Sequence, residues 1–527
     1  MTTTIITTPD ERQFLDALSD AQTINIHLTE HRQPHNFMQA YFRLTVATIQ
    51  ECFTLERPSV RTSSWPVHKF LIPGELSVFF LAKVLPAVIS NPNLQSLSLD
   101  GCGRVQGFYP LLMQNLSNHP TLVSLSLASW ADFIEAGVSL EQTRPLLAHL
   151  QTFSVNYPKF EEEPARLLGE ALSRMSQLQN LSMNTGVGQV SSISVVKIVG
   201  ALSSMSRLQD LRWVAESLPA FEGDSEHLLE QQIFGGPAIT RLELAFKGGF
   251  KDRYLASLLK RSPGLIHLSL SDLDIDAATV LGQYLLTNST LQSLHLSLSD
   301  QDSCCVPLLE GTLRHRTLSS LALHNVSLSL DVAKTMQMLL VYNTTLQNLQ
   351  VSCASTSNGV NHGYMQDLLL GLHYNTSLRT VTLGATCPDL DWHTSLTLQD
   401  VLLLNTTLRH LHLGDCHVQN EDCARVICQG IICNDSLLSM TGIVFGEHQG
   451  MMVDALSRNK TLCLVQPCSA EMEFYLTLNR MGRVHLLEPN GMAENLLPHV
   501  LAKASSSVET LHYMIQARAE IFGHRQT

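Results

Sequence analysis

One spacing of apolar residues recurs through most of this chain: an apolar residue, two others, an apolar residue, one other, an apolar residue. Clear copies are Leu94-Leu97-Leu99, Leu122-Leu125-Leu127, Leu178-Leu181-Met183, Leu265-Leu268-Leu270, Leu291-Leu294-Leu296, Leu318-Leu321-Leu323 and Leu408-Leu411-Leu413. Weaker copies begin at Leu150, Leu208, Ile239, Leu346 and Leu378, and degenerate ones at Leu437 and Leu462. From Leu94 to Leu462 is 462 − 94 = 368 residues in thirteen steps, about 28 per step. A fixed period of that size means an array of identical units, each long enough for one strand and one helix and too small to bury a core alone.

Inside each unit the last two apolar positions alternate as a strand does, so positions three and five of the pattern point away from the core. The following stretch reads as a helix. In Asp331–Tyr342 the residues Val332, Met336, Leu339 and Leu340 share one helical face. Asp331 is expected to cap its start, and Asn343 to stop it in a left-handed conformation. A strand followed by a crossover helix is right-handed and stacks beside its copies. Strands sit closer together than packed helices (~4.8 against ~8–10 Å), so the stack is expected to curve with its strands inside.

With these repeats the chain resembles the ribonuclease-inhibitor-type leucine-rich repeat proteins over residues 91–465. The resemblance implies an α/β horseshoe solenoid of about 14 repeats, with parallel strands on the concave face, helices on the convex face, and terminal caps. The family's usual Asn or Cys three residues after the third apolar position is met by Cys102 and Cys416 and is mostly absent elsewhere. Residues 1–90 are expected to be an N-terminal cap of degenerate repeats. There Ile24, Ile26 and Leu28 alternate as a strand, Phe14, Leu15 and Leu18 have helical spacing, Glu56–Pro66 reads as a loop, and Leu76–Ile89 as a helix. Residues 466–527 are expected to be a C-terminal helical cap. Tyr475, Leu478-Asn479-Arg480 and Gly482-Arg483 are similar to a tail motif of microalgal, diatom-like leucine-rich repeat proteins, and Pro498–Leu501 and Leu511–Phe522 resemble their helical ends.

Composition narrows the function classes. Only 15% of residues are charged while 44% are hydrophobic, and the net charge is −13. That composition excludes a disordered acidic chain and argues against a nucleic-acid binder, which carries a basic stripe. No run of about 18 apolar residues is long enough to span a membrane, since Lys83 and Pro86 interrupt the best stretch. The start, MTTTIITTPDERQ, has no basic segment followed by an apolar one, so no secretory signal is expected. The twelve scattered cysteines then fit reduced thiols in the cytoplasm. Glycosylation-like triplets at Asn288, Asn343, Asn375, Asn405, Asn434 and Asn459 all fall three residues before a pattern residue, which reads as structure rather than modification; Asn115, Asn180 and Asn325 match the triplet as well.

No phosphate loop, dinucleotide fingerprint, HExxH or GxSxG is present, so no enzyme, cofactor or catalytic residue is expected. Cys416, Cys423, Cys428 and Cys433 are seven, five and five residues apart, unlike the close pairs of structural zinc, and no metal is expected. Cys463 and Cys468 would be the thiols of an enzymatic tail, but some sixty residues are too few for an active site and its own core. The outward positions three and five are small and rich in hydroxyls. Two groups stand out: Asp210, Arg212, Arg241 and Glu243 on neighbouring repeats, and His410 with His412 on one strand. The first group reads as a partner anchor or as an internal ion-pair ladder. His267, His295 and His324 run diagonally across three repeats and suggest a metal or pH role less well than chance placement. The expected function is a non-catalytic scaffold that recognises a protein, with no nucleic acid or membrane partner. The resemblance also implies an alternative, a substrate-recognition adaptor of a ubiquitin ligase or a small-GTPase regulator.

Overall fold

The computed structural model of the protein describes residues 2–6, 23–32, 38–47, 51–58, 91–100, 108–117, 119–135, 138–157, 161–185, 192–215, 238–246, 252–299, 305–353, 362–384, 389–480 and 483. The chain folds as two compact units, Met1–Ser271 and Asp272–Thr527.

In the first unit, repeated strand–helix units lay parallel strands side by side: Ser96–Asp100, Ser124–Leu127, Thr152–Tyr157, Asn180–Thr185, Asp210–Ala215, Arg241–Phe246 and His267–Leu273, the last ending just past the unit boundary. Their register sets like on like. Leu97, Leu125, Phe153, Leu181, Leu211, Leu242 and Leu268 are ladder partners in turn, and each is at most 2% exposed. The second unit repeats the arrangement. Leu294, Leu321, Leu349, Val381, Leu411, Met440 and Val465 form the same column through parallel strands from Ser293–Leu298 to Leu464–Gln466. Behind them stack helices such as Ile275–Thr287, Cys305–Arg314, Leu330–Tyr342, His362–Tyr374, Trp392–Leu404 and Glu421–Cys433, each against the next. The architecture is therefore α/β and repetitive, with the apolar pattern sealed between strands and helices.

The first strands differ from the repeats. Ile24 and Ile26 do lie on a strand, Thr23–Arg32, and continue the columns of Leu97 and Leu99. That strand also pairs antiparallel with Met38–Ala47, which pairs antiparallel with Glu51–Pro58, so the pairing here is mixed. Glu56, Arg57 and Pro58, expected in a loop, belong to the strand Glu51–Pro58, because Met38–Ala47 supplies a partner the sequence does not announce. The helices expected at 14–18, 76–89 and 511–522, and the segment 498–501, lie outside the described residues.

Two capping expectations are corrected. Ser329, not Asp331, caps the helix Leu330–Tyr342: its hydroxyl accepts from the Val332 amide at 3.3 Å, and Asp331 sits in the first turn. The asparagines at the helix ends are not left-handed. Asn288, Asn343, Asn405, Asn434 and Asn459 have φ between −71° and −82° with extended ψ. Their conserved-looking phase has another cause, which Asn405 illustrates. Its Oδ1 accepts from the amides of Thr407 and Leu408 at 3.0 and 2.9 Å. Its Nδ2 donates to the carbonyls of Leu372 and Asn375 in the preceding repeat at 2.8 and 3.0 Å. Asn343 and Asn459 make the same four-bond set, and Asn375 and Asn434 keep the two amide bonds with a donation to the preceding helix end. An asparagine here fastens its own turn and ties it to the unit before. With Nδ2 engaged in a buried bond, these side chains are closed to glycosylation while the chain is folded.

Candidate functional site

Asp210 and Arg212 stand on the strand Asp210–Ala215, and Arg241 and Glu243 on its parallel neighbour Arg241–Phe246. Register makes Asp210 the partner of Arg241 and Arg212 the partner of Glu243. The four charges alternate in sign along both directions and sum to zero. Arg212 Nε meets Glu243 Oε1 at 3.1 Å, with the side chains 57% and 35% exposed. At that exposure such a pair adds only about 0–1 kcal/mol. Burial pushes the Asp210 carboxyl above its ordinary range; Arg241 opposes this most, then His267 and Arg212, while Glu243 adds to the rise. Opposite faces of these strands carry the packing: Trp213 and Phe246 lie edge to face at 5.2 Å, both buried. The structure thus brings these four predicted residues together as a self-neutralised checkerboard.

His410 and His412 lie in the second unit on the strand His410–His417. His410 is exposed; His412 is half-buried and shares a 2.8 Å hydrogen bond between Nδ1 and the Thr441 hydroxyl of the next strand. Gly442 makes that approach possible. Its φ is +76°, and a Cβ there would meet the Gly414 nitrogen at 2.7 Å and His412 Cε1 at 3.1 Å. His295 and His324 belong to the second unit and are out of register with each other, since His295 faces Ala322 and His324 faces Ser297. Among the described residues no three His, Cys, Asp or Glu side chains converge as a metal site would require.

The cysteines read the same way. Cys416, Cys423 and Cys428 are buried and Cys433 is exposed. Burial, with Asp454 nearby, pushes the Cys428 thiol up to about 12. Cys463 is raised by burial against the pull of Arg480, and Cys468 by burial and the Glu473 carboxylate. Raised thiols stay protonated, the reverse of what a nucleophile needs.

Sequence reasoning missed position two of the pattern, where Arg379 and Arg409 occupy neighbouring repeats of the second unit. Both are exposed, and the Arg379 carbonyl accepts from the amides of Arg409 and His410 at 2.8 and 2.9 Å, fixing the two residues side by side. Arg409 donates from Nη1 to the Ser436 carbonyl at 2.6 Å. Among the described residues neither guanidinium has a carboxylate partner. The signal was present: two arginines recur 30 residues apart at one phase. Only attention to positions three and five hid them.

Among the described residues no helix is long and apolar enough to cross a membrane. Set against protein-family models and against curated proteins, the sequence matches none.

Proposed function

We propose that this protein is a non-catalytic recognition scaffold of the leucine-rich repeat type, working in the cytoplasm and binding a protein partner through the outward row of its strands. The carrying observation is the contrast across each strand. Pattern residues such as Leu294, Leu411 and Leu242 are at most 1% exposed, while their neighbours His295, His410 and Arg241 are exposed. A regular array of accessible side chains on fixed backbones suits a macromolecular surface better than a small ligand, which wants a concave pocket. Free thiols at Cys416, Cys423, Cys428, Cys433, Cys463 and Cys468 support a reducing compartment.

Hydroxyl-radical footprinting of the full chain with a partner purified from native cytosol tests this reading. Protection is expected at outward strand residues such as His295 and His410. Protection confined to helix residues such as Tyr342 and Tyr374, or failure to recover any stoichiometric partner, sinks it. Within the first unit, Arg212→Glu with Arg241→Glu separates the two readings of the checkerboard. Weaker partner binding with an intact fold makes it an anchor, whereas unfolding makes it an internal ladder of charges.

A further inference from the structure

The chain carries a net charge of −13, yet the outward positions two, three and five of the second unit's strands, from Ser293–Leu298 to Leu464–Gln466, hold no carboxylate among the described residues. They hold Arg379 and Arg409, both unpaired by any acid, with His410 and His412 on the following strand positions. Asp435 sits in the turn next to Ser436 and makes no ion pair with Arg409, and Asp415 lies beyond the outward positions at φ 61°. The first unit offers the contrast, because there Arg212 and Arg241 each face a carboxylate partner, Glu243 and Asp210. A surface whose arginines have been left without counter-charges in an acidic protein is complementary to an acid supplied from outside.

Geometry narrows the class of anion. Arg379 and Arg409 stand just before the adjacent strands Thr380–Gly384 and His410–His417, and the bond from Arg409 Nη1 to the Ser436 carbonyl draws that guanidinium toward the next repeat. The two backbones are one strand spacing apart, roughly 5 Å, and the Arg409 head is held toward the repeat beyond. That layout suits two spaced acidic groups better than one compact ion. In an extended peptide, alternate side chains are about 7 Å apart, which places two carboxylates over two such heads. The hydroxyls of Thr380 and Thr382 and the imidazoles of His410 and His412 lie on the same two strands and offer hydrogen-bonding groups along the way. Two arginines neutralise too few phosphates to hold a nucleic acid or an anionic membrane surface.

We propose that Arg379 and Arg409, with His410 and His412 beside them, form a docking site for an extended acidic peptide segment of a protein partner, one carboxylate to each guanidinium. The proposal rests on the scaffold reading above and names the chemistry of what it binds.

Fluorescence anisotropy with the full chain and a labelled Glu-Ser-Glu-Ser-Glu peptide tests it, with the Gln-Ser-Gln-Ser-Gln peptide, a single-stranded oligonucleotide, inorganic phosphate and phosphatidylserine vesicles as comparisons. Binding of the acidic peptide is expected to weaken with salt, since it is carried by exposed charges. Arg379→Glu, which breaks no hydrogen bond, is expected to raise its Kd several-fold. Adding Arg409→Glu should raise it by more than about tenfold, while Arg316→Glu, away from the site, leaves it unchanged. Unchanged Kd in Arg379→Glu, equal binding of the glutamine peptide, or no binding up to about 1 mM overturns the proposal. Tighter, arginine-dependent binding of phosphate, the oligonucleotide or the vesicles also overturns it, in favour of that anion. If the acidic peptide fails while a native partner still protects the strand face, this inference falls and the scaffold reading stands. If no native protein partner is recovered, the scaffold reading falls and takes this inference with it, whatever the model peptide does.

Discussion

At the scale of the residue, the turn asparagines carry more of the architecture than their small size suggests. Asn405 satisfies two amides of its own turn and two carbonyls of the preceding repeat while 4% exposed. Replacing it by Ala leaves these groups unpaired where water does not reach, and unpaired buried groups cost about 1–3 kcal/mol each. Asn405→Ala is therefore expected to destabilise by about 3 kcal/mol in urea denaturation, and a loss under about 0.5 kcal/mol would show that the bonds are dispensable. His315 stands where the other repeats of its neighbourhood have Asn. Its Nδ1 accepts from the amides of Thr317 and Leu318 at 3.3 and 3.1 Å, so the proton must sit on Nε2, which is buried without a partner. Burial lowers its pKa below the ordinary imidazole value. Between the lowered folded value and the unfolded value of about 6.5, the unfolded state binds more protons. Stability from this group is thus full above about 6.5, falls as pH drops toward the folded value, and levels off below it. His315→Asn should remove that component and raise stability at acid pH, which a series of melts across pH would read.

At the scale of the element, helices pack as closely as their glycines allow. Gly311 on the helix Cys305–Arg314 faces the helix Ile275–Thr287, and a Cβ added there would meet the Gly282 carbonyl oxygen at 2.5 Å. Gly282 is equally tight: its own Cβ would run into the Pro307 carbonyl. Both obstacles are backbone and cannot swing away. Although alanine is the better helix former by about 1 kcal/mol, Gly311→Ala is expected to lose about 1–3 kcal/mol, because overpacking outweighs propensity. A stabilised variant in thermal melts would mean that the helices separate freely. Gly169 is a milder case, with its nearest neighbours at 3.2 Å.

For the whole molecule, the question is how a stack of repeats ends. Among the described residues Asn459 is the last turn asparagine, and its own carbonyl is met by a helix instead of by a further strand–helix unit. Asn479, near the end of the helix Ala470–Arg480, donates to the carbonyls of Asn459 and Leu462 at 3.2 and 2.8 Å. Arg483 donates to the carbonyls of Leu456 and Ser457 and reaches Asn459. Met472, Leu476 and Leu478 are buried on the same helix. The Leu-Asn-Arg and Gly-Arg signature supplies donors to the kind of acceptors that Asn343, Asn375, Asn405, Asn434 and Asn459 cover in the repeats before them. We propose on this basis that residues 466–527 cap the array. Deleting residues 470–527 is expected to expose those carbonyls and fray the C-terminal repeats, read as loss of hydrogen-exchange protection between residues 408 and 465. A monomeric truncation with those amides still protected would make the tail a separate module.

The period of the apolar pattern was enough to place the repeated parallel strands and their core, because a unit of about 28 residues with one strand face and one helical stripe can bury both only against copies of itself. Which side chains turn outward, Asp210 and Arg212 or His410 and His412, followed from alternation alone. What those side chains do depends on neighbours some thirty residues away in sequence. Tertiary register set Arg212 opposite Glu243 and Arg241 opposite Asp210, and among the described residues left Arg379 and Arg409 without acids. It also gave the turn asparagines carbonyls in the preceding repeat to hold. Periodicity is a local property of the chain and can be read from it, whereas a charge or a hydrogen-bond donor acquires its role from whatever the fold sets opposite, and that is decided only when the repeats stack.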